Sequence, residues 1–515
     1  MKIRFAGMIT FFLLTIAIPS CGILPSGKEK PNIVIILTDD LDFRLMRYLK
    51  NTDALIAQKG AVFTNYFVTS PLCCPSRTSM FRGQYPHNTN VMENTPGFKR
   101  FFDRKEETET LAVWLKRAGY NTGLMGKYLN LYPSGAGRHY VPPGWTDWHA
   151  FVFEDPQKTF YYDYKMNENG EVIQYGNSAQ DYSTDVIGRH AIDFINKSIA
   201  DRSPFFILIS TTAPHGPSVS APRHAEMFQG LEYPQSISFN EKDMGDKPFI
   251  IRSLTTTGDV FDVYDANSLF IKRVQSTQAV DELVAEVVHL LEGSGQMDNT
   301  YVIFTSDNGF HMGEHGISAG KGLPYEEDIH VPFMIRGPGI KPNTEITQMV
   351  TNIDIAPTIA EMTGARTAEF VDGRSAMTLL FPQNNQTLKW RKGFLIEMGY
   401  GDTPQSSVIQ QVSFFNSDPP FGLKDPDAYY DRSTSRIEDV SFRGIRTEKF
   451  VYVEYVNGEI EYYDLTADPF ELNNLAKSLD ASVLASLHSW LEELKTCSAE
   501  ACRKSEDTLP ASLEK

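Results

Sequence analysis

The chain has 515 residues, a net charge of −17, 41% hydrophobic and 22% charged residues, and only five cysteines. These are the proportions of an ordinary globular protein, long enough for one large α/β domain plus a smaller one. The acidic balance excludes nucleic acid as a general partner and admits a polyanionic substrate only where a local basic pocket offsets the bulk charge.

Lys2 and Arg4 precede an apolar run from Met8 to Ile18, followed by Pro19-Ser20-Cys21. That is the order of a secretory signal peptide over residues 1–21, with a run too short to span a bilayer comfortably. Ile18-Pro-Ser-Cys21 also resembles a bacterial lipobox. Two outcomes stand side by side: a cleaved leader with Cys21 incidental, or a lipidated Cys21 as the chain's membrane attachment. The product is then secreted, periplasmic or lipid-anchored at the cell surface. Residues 22–30 read as a tether.

Asn32 to Thr38 (NIVIILT) is a continuous β-branched apolar run, expected as a strand buried on both faces of a parallel sheet. It ends in Asp39-Asp40. Two carboxylates at such a strand end are costly unless paired or bound to a cation, and that edge of an open α/β sheet is where ligands bind. Pro71-Leu-Cys-Cys-Pro-Ser-Arg77 follows as a turn, with a short helix expected over Thr78 to Gly83. Its backbone N–H groups suit an anion, and Arg77 offers a fixed fork for oxyanions.

Helix and strand signals then alternate. A helix is expected over Leu111 to Ala118, then a strand over Asn121 to Met125 that runs into Gly126-Lys127-Tyr-Leu-Asn130. Ser183 to Ile195 has a helical apolar face. Pro204 to Ser210 is a second buried strand and ends at Ala213-Pro214-His215. The segment from about Ser218 to Gly258 reads as a shaper of substrate access. Val280, Leu283, Val284, Val287 and Leu291 mark an amphipathic helix stopped by Gly293. Tyr301 to Thr305 is a third strand and ends in Ser306-Asp307-Asn308-Gly309. Lys321 lies in the glycine-flanked loop Gly320 to Glu326, suited to close anion approach. Three apolar strands ending in ligand-type residues define a doubly wound sheet with its site along one edge.

The apolar pattern lapses around residues 383–390, which sets the main domain at 31–385 and a small α+β subdomain at 390–505. Its strands are expected at Gly393–Met398, Val440–Arg446, Phe450–Tyr455 and Glu459–Leu465, with a hairpin turn at Val456-Asn457-Gly458. A last helix covers Ala481 to Lys495. Cys497 and Cys502 either close a small disulfide loop in an oxidising compartment or stand as two reduced thiols. Asp39, Asp40, Asp307 and Asn308 form a hard, all-oxygen set suited to Ca²⁺ or Mg²⁺ rather than zinc.

Cys73-Cys74-Pro75-Ser76-Arg77 resembles the Cys-x-Pro-Ser-Arg signature of the type I, formylglycine-dependent sulfatases. Within that family, Gly126-Lys-Tyr-Leu-Asn130, Ala213-Pro-His215, Arg336-Gly-Pro-Gly-Ile-Lys-Pro342 and Cys497-Ser-Ala-Glu-Ala-Cys-Arg503 are similar to the N-acetylglucosamine-6-sulfatases and heparan 6-O-endosulfatases. The resemblance covers essentially the whole mature chain and implies an alkaline-phosphatase-like fold with a mostly parallel central sheet. It further implies that a maturation enzyme oxidises Cys73 to formylglycine (3-oxoalanine), leaving Cys74 as the variable position. One Ca²⁺ is then held by Asp39, Asp40, Asp307, Asn308 and the modified residue 73. Lys127 and Lys321 correspond to sulfate-binding lysines, His215 to the histidine near the leaving oxygen, and Asp307 to a ligand that also accepts a proton. A hydrated formylglycine has one hydroxyl to attack sulfur and a second to expel sulfate, which explains why an unmodified serine or cysteine does not suffice.

Many arylsulfatases carry a histidine two residues after the lysine of Gly-Lys; this chain has Leu129. That histidine is held to help release sulfate; in its place Asn130 and His311 are the candidates here, with His87 a weaker one that serves equally well as a structural residue. The implied function is removal of sulfate from a sulfated sugar, expected to be 6-O-sulfated N-acetylglucosamine. An arylsulfatase or phosphonate monoester hydrolase of the same fold, and a glycan-binding protein that never matures Cys73, are the alternatives.

Overall fold

A computed structural model describes residues 29–153, 160–254, 263–382, 389–399 and 440–513. The expected leader, the lipobox at Cys21 and most of the tether lie outside the described residues, as does part of 218–258. Among the described residues no helix is long and apolar enough to cross a membrane.

Strands are numbered in chain order. β1 (Asn32–Asp39), β2 (Ala61–Phe63), β3 (Tyr66–Phe67), β4 (Asn121–Gly126), β5 (Asp147–Phe151), β6 (Lys165–Glu168), β7 (Glu171–Gln174) and β8 (Phe205–Pro214) come first. β9 (Thr300–Ser306), β10 (Phe333–Arg336), β11 (Thr344–Ile346) and β12 (Val350–Thr351) complete the main domain. The central sheet has ten strands in the order β11-β2-β10-β9-β1-β8-β4-β5-β6-β7. The run β9-β1-β8-β4-β5 is parallel, whereas β10 joins it antiparallel and the hairpin β6–β7 closes the other edge.

The period-two alternation of strands sorts β1 between two cores. Ile33, Ile35 and Leu37 enter one cluster with Leu111, Trp114, Ile355 and Ile359. Val34 and Ile36 enter the other with Val186, Ile187, Val280 and Val284. Helices therefore cover both faces, which is why this strand reads as an unbroken apolar run; each such side chain contributes about 1.5–3 kcal/mol on burial. Three elements extend past their expected ends: the helices Ser183–Ala200 and Val263–Gly293, and β8, which runs through Pro214.

The second sheet has four antiparallel strands in sequence order: β13 (Gly393–Met398), β14 (Phe442–Thr447), β15 (Phe450–Tyr455) and β16 (Ile460–Asp464). One face carries Leu395, Ile445 and Tyr452 and packs on Leu487, Trp490 and Leu491 of the helix Ala481–Leu494. The alternate face, with Phe394, Ile396, Val451 and Val453, joins the main-domain core. Cys497 and Cys502 form a disulfide, as one of the two sequence readings has it, and Cys73 and Cys74 are free and buried.

Candidate active site

Asp39 ends β1 and Asp40 follows it, Asp307 and Asn308 follow β9, His215 follows β8 and Lys127 follows β4. Because β9, β1, β8 and β4 are neighbours in the sheet, four adjacent strand ends deliver these side chains to one place. Two backbone features hold the edge. Gly126 has φ 111°, and a Cβ there would lie 2.0 Å from the Ser210 carbonyl oxygen, so only glycine lets β4 turn out into Lys127. Asp40 adopts φ 67°, strained for a side-chain-bearing residue. It is kept there by Asp40 N donating to Asp307 Oδ1 (3.2 Å), Leu41 N to Ser306 Oγ (2.9 Å) and Arg273 Nη2 to Asp40 O (2.6 Å).

The helix facing this edge spans Cys73–Arg82 and ends at Gly83 in the left-handed region. It starts five residues before the sequence expectation, which placed Cys73 to Arg77 in a turn. Pro75 falls in the first turn, where its missing N–H has no intrahelical partner to lose, so it does not delay the helix. Cys73 is thus the first helical residue, at the end of the helix that carries positive potential.

The unmodified Cys73 thiol lies 3.4 Å from Asp39 Oδ1 and 2.9 Å from Lys321 Nζ. Lys321 also donates to Asp40 Oδ1 (2.7 Å), and Lys127 Nζ to Asp39 Oδ2 (2.6 Å). Asn308 Nδ2 donates to Asp40 Oδ1 (2.6 Å), while His215 Nε2 stands 3.8 Å from Asp40 Oδ2. Side-chain atoms of Asp39, Asp40, Cys73 and Asp307 all lie within 4.8 Å of one another. Three buried carboxylates therefore face three buried cations: Arg77, Lys127 and Lys321.

Burial alone would raise Asp39 and Asp307, and the charges beside each carboxyl set the outcome. For Asp39, Lys127 and then His215 outweigh burial and hold the carboxyl below its usual range. For Asp307, burial and the neighbouring Asp39 charge prevail over Arg77 and the lysines, and its carboxyl is raised. Burial, with Asp39 beside it, pushes the Cys73 thiol well up. Two buried oxygens, Asp40 Oδ2 and Asn308 Oδ1, have no hydrogen-bond donor among the described residues. With the carboxylates around them they form a hard oxygen set that fits a metal ion such as Ca²⁺.

The Arg77 guanidinium is buried, with Nε on Asp307 Oδ2 (2.7 Å) and Nη1 on Lys127 O (2.9 Å) and Ser210 Oγ (2.7 Å). Its Nη2 lies 3.9 Å from Asp39 Oδ2 and has no hydrogen-bond partner among the described residues. Arg77 fixes Asp307 and the β4 and β8 strand ends. Asn130 lines, with Asp39, Lys127, Thr212 and His215, a cleft enclosing about 270 Å³, open solvent included. Phe153 and Phe160 form its apolar wall. Leu129 turns away into the apolar core. His311 is joined to Gly320, next to Lys321, by an antiparallel bridge, and its Nδ1 pairs with Asp328 (2.9 Å). His87 is drawn elsewhere: Nδ1 contacts Glu397 Oε1 of β13 (2.7 Å) and Nε2 the Cys497 carbonyl (3.0 Å), which joins the short helix Pro86–Thr89 to the second sheet and the C-terminal segment.

Sequence reasoning missed several partners. Ser76 Oγ donates to the Asp307 carbonyl (2.5 Å), and Asn352 Nδ2 in turn reaches Ser76 Oγ (3.0 Å). Asn94 Oδ1 accepts from Cys74 N (2.9 Å). Ser76 stood inside the motif that drew attention, but the lone asparagines Asn94 and Asn352 gave no signal.

Fold and site together define an α/β enzyme of the alkaline-phosphatase-like class, with buried acids and cations gathered at parallel strand ends. A family model described as Sulfatase matches residues 31–365, and the chain belongs to the sulfatase family. It is 36% identical over 494 residues to an N-acetylglucosamine-6-sulfatase of Capra hircus, covering 93% of this chain and 85% of that one. It is 37% identical over 377 residues to the extracellular sulfatase SULF-1 homolog of Drosophila melanogaster, covering 72% and 33% respectively. A solved structure in complex with its substrate D-glucosamine-2-N,6-O-disulfate shares the fold, with TM-score 0.71 and 22% identity, covering 94% of this chain and 100% of that one.

Proposed function

We propose that the chain is a secreted sulfatase that removes the 6-O-sulfate of N-acetylglucosamine in glycosaminoglycan-type glycans. The observation that carries this reading is the position of Cys73. It is the first residue of a buried helix and lies 2.9 Å from Lys321 Nζ and 3.4 Å from Asp39 Oδ1. The identity to N-acetylglucosamine-6-sulfatases supports the sugar, the named extracellular relative supports secretion, and the Cys497–Cys502 disulfide suits an oxidising compartment.

In this reading a maturation enzyme converts Cys73 to formylglycine, whose hydrate supplies the nucleophilic oxygen. Lys127 and Lys321 neutralise the sulfate oxygens as charge builds on them. His215, on the wall of the cleft, gives a proton to the leaving sugar oxygen. Asp307, raised by burial and by Asp39, takes the proton of the attacking hydroxyl, and Arg77 keeps it aimed. Asn130 and His311 meet the substrate beside the lysines. Asp39, Asp40, Asp307, Asn308 and the modified residue 73 would hold Ca²⁺. The chemistry it would supply there is polarisation of the sulfate and a lowered pKa for a nearby hydroxyl.

The test is a mass spectrum of the tryptic Cys73 peptide from the native host, followed by kcat/KM on GlcNAc-6-sulfate, an aryl sulfate and an aryl phosphonate. The expected result is loss of the thiol mass and the highest kcat/KM on the sugar sulfate. A peptide that keeps its full thiol overturns the enzyme reading; preference for the aryl phosphonate overturns the substrate.

A further inference from the structure

A second group of ligand-type side chains stands apart from the residues assigned to the centre above. A ring nitrogen of His315 and carboxylate oxygens of Glu327 and Glu471 lie within 4.8 Å of one another. His315 and Glu471 are each 1% exposed. The ring plane of His315 is fixed by stacking on Tyr325 at 4.1 Å. Its Nδ1 is taken by Glu241 Oε2 at 2.8 Å, which leaves Nε2 to present its lone pair. Nε2 has no hydrogen-bond partner among the described residues, and neither has Glu327 Oε2.

Charge points the same way. Three neighbouring acids have a cation: Glu314 has Arg44, Glu326 has Arg446 and Glu241 has Lys247. Glu327 and Glu471 have no such ion pair among the described residues; Glu471 Oε2 accepts only the Glu326 backbone N–H, at 3.0 Å. A buried and a half-buried carboxylate, the latter with its Oε2 shielded from solvent, are costly as they stand beside an unpartnered imidazole nitrogen. A shared proton relieves the carboxylates but leaves the histidine nitrogen unpartnered; a metal ion relieves all three.

We propose that His315, Glu327 and Glu471 form a second divalent-cation site, of the mixed nitrogen and oxygen kind that takes Zn²⁺. Glu241 holds the imidazole from its far side, the arrangement by which carboxylates orient metal-bound histidines. Glu327 follows the loop that carries Lys321, and Glu471 follows β16 of the second sheet. A cation here ties the Lys321 loop to the second sheet.

The full-length protein is stripped with a chelator, exposed to excess Zn²⁺, desalted and assayed for zinc by plasma mass spectrometry. Asp307→Asn, which weakens the centre at the strand ends, serves as the background, and the count is read as the difference made by His315. We expect His315→Gln to lower retained zinc by one per chain in that background. Glu241→Gln, which leaves all three ligands in place, should weaken Zn²⁺ about tenfold. Should His315→Gln fail to fold, Co²⁺ titration of the Asp307→Asn protein should still give visible ligand-field bands that zinc abolishes. No retained zinc in the Asp307→Asn protein, absence of those bands, or equal retention without His315 overturns the proposal.

Discussion

Arg77 Nε donates to Asp307 Oδ2 at 2.7 Å with both side chains buried. The same guanidinium holds the ends of β4 and β8 through Lys127 O and Ser210 Oγ. Lysine offers a point charge and no fork. Arg77→Lys is therefore expected to keep charge balance but release Asp307, and kcat should fall on the order of a hundredfold. Stability should also drop by about 1–3 kcal/mol, the cost of leaving buried acceptors without their donor. Steady-state kinetics and a denaturant titration check the two parts. An unchanged kcat in folded Arg77→Lys would show that Asp307 does not depend on this contact.

Cys73 and Cys74 separate two roles that the sequence sets side by side. Cys73 touches Asp39 and Lys321, whereas Cys74 belongs to the apolar core. Cys73→Ala should abolish turnover, and Cys74→Ala should keep most of it at a stability cost of about 1 kcal/mol. Turnover assays on both purified variants decide it. Equal loss in the two would mean that the nucleophile is misassigned.

The strand ends were legible because a doubly buried parallel strand has to be continuously apolar and its end does not. Asp39-Asp40, Ala213-Pro-His215 and Ser306-Asp-Asn308 stand out against their strands for that reason. The helix start at Cys73 was not legible: Pro75 looks like a break, yet is tolerated in a first turn. Arg77 was assigned a role by residue type, which does not tell how many of its donors buried groups take up; here Nε and Nη1 are taken and Nη2 is not. Nor does the sequence tell that the second sheet turns its Phe394 and Ile396 face into the main core, since long-range packing leaves no local pattern.

His87, read from sequence as a weak active-site candidate, makes a prediction about pH instead. Burial would lower its pKa, but Glu397 prevails and raises it. Burial would raise Glu397, but His87 and then Arg443 hold it down. The Glu397 part of the stability is present above the unfolded carboxylate pKa and is lost as pH falls through its depressed folded value. The His87 part is full below the unfolded imidazole value of about 6.5 and is lost as pH rises through its raised folded value. The pair thus stabilises most in the mildly acidic range. Thermal midpoints across pH should fall more steeply above about pH 6.5 in wild type than in His87→Gln; parallel curves would remove His87 from the account.

Glu461 is buried on β16 and accepts from three phenols: Tyr325 at 2.8 Å, Tyr455 at 2.6 Å and Tyr463 at 2.7 Å. Tyr325 stands four residues after Lys321, and its neighbour Glu326 is held by Arg446 of β14 at 2.6 Å. The second sheet therefore grips the loop that presents Lys321 to Cys73 and Asp40. Glu461→Gln preserves shape but turns an amide N–H₂ on a hydroxyl that needs an acceptor, at a cost of about 1–3 kcal/mol. Were about 1.4 kcal/mol of that expressed as misplacement of Lys321, kcat/KM should fall about tenfold. Tyr463→Phe, which removes a donor and leaves Tyr325 bonded to Glu461, should change kcat/KM much less. Kinetics of both variants at a temperature where each is fully folded distinguish positioning from stability. Equal kcat/KM in Glu461→Gln and wild type would mean that the loop holds Lys321 without help from the second sheet.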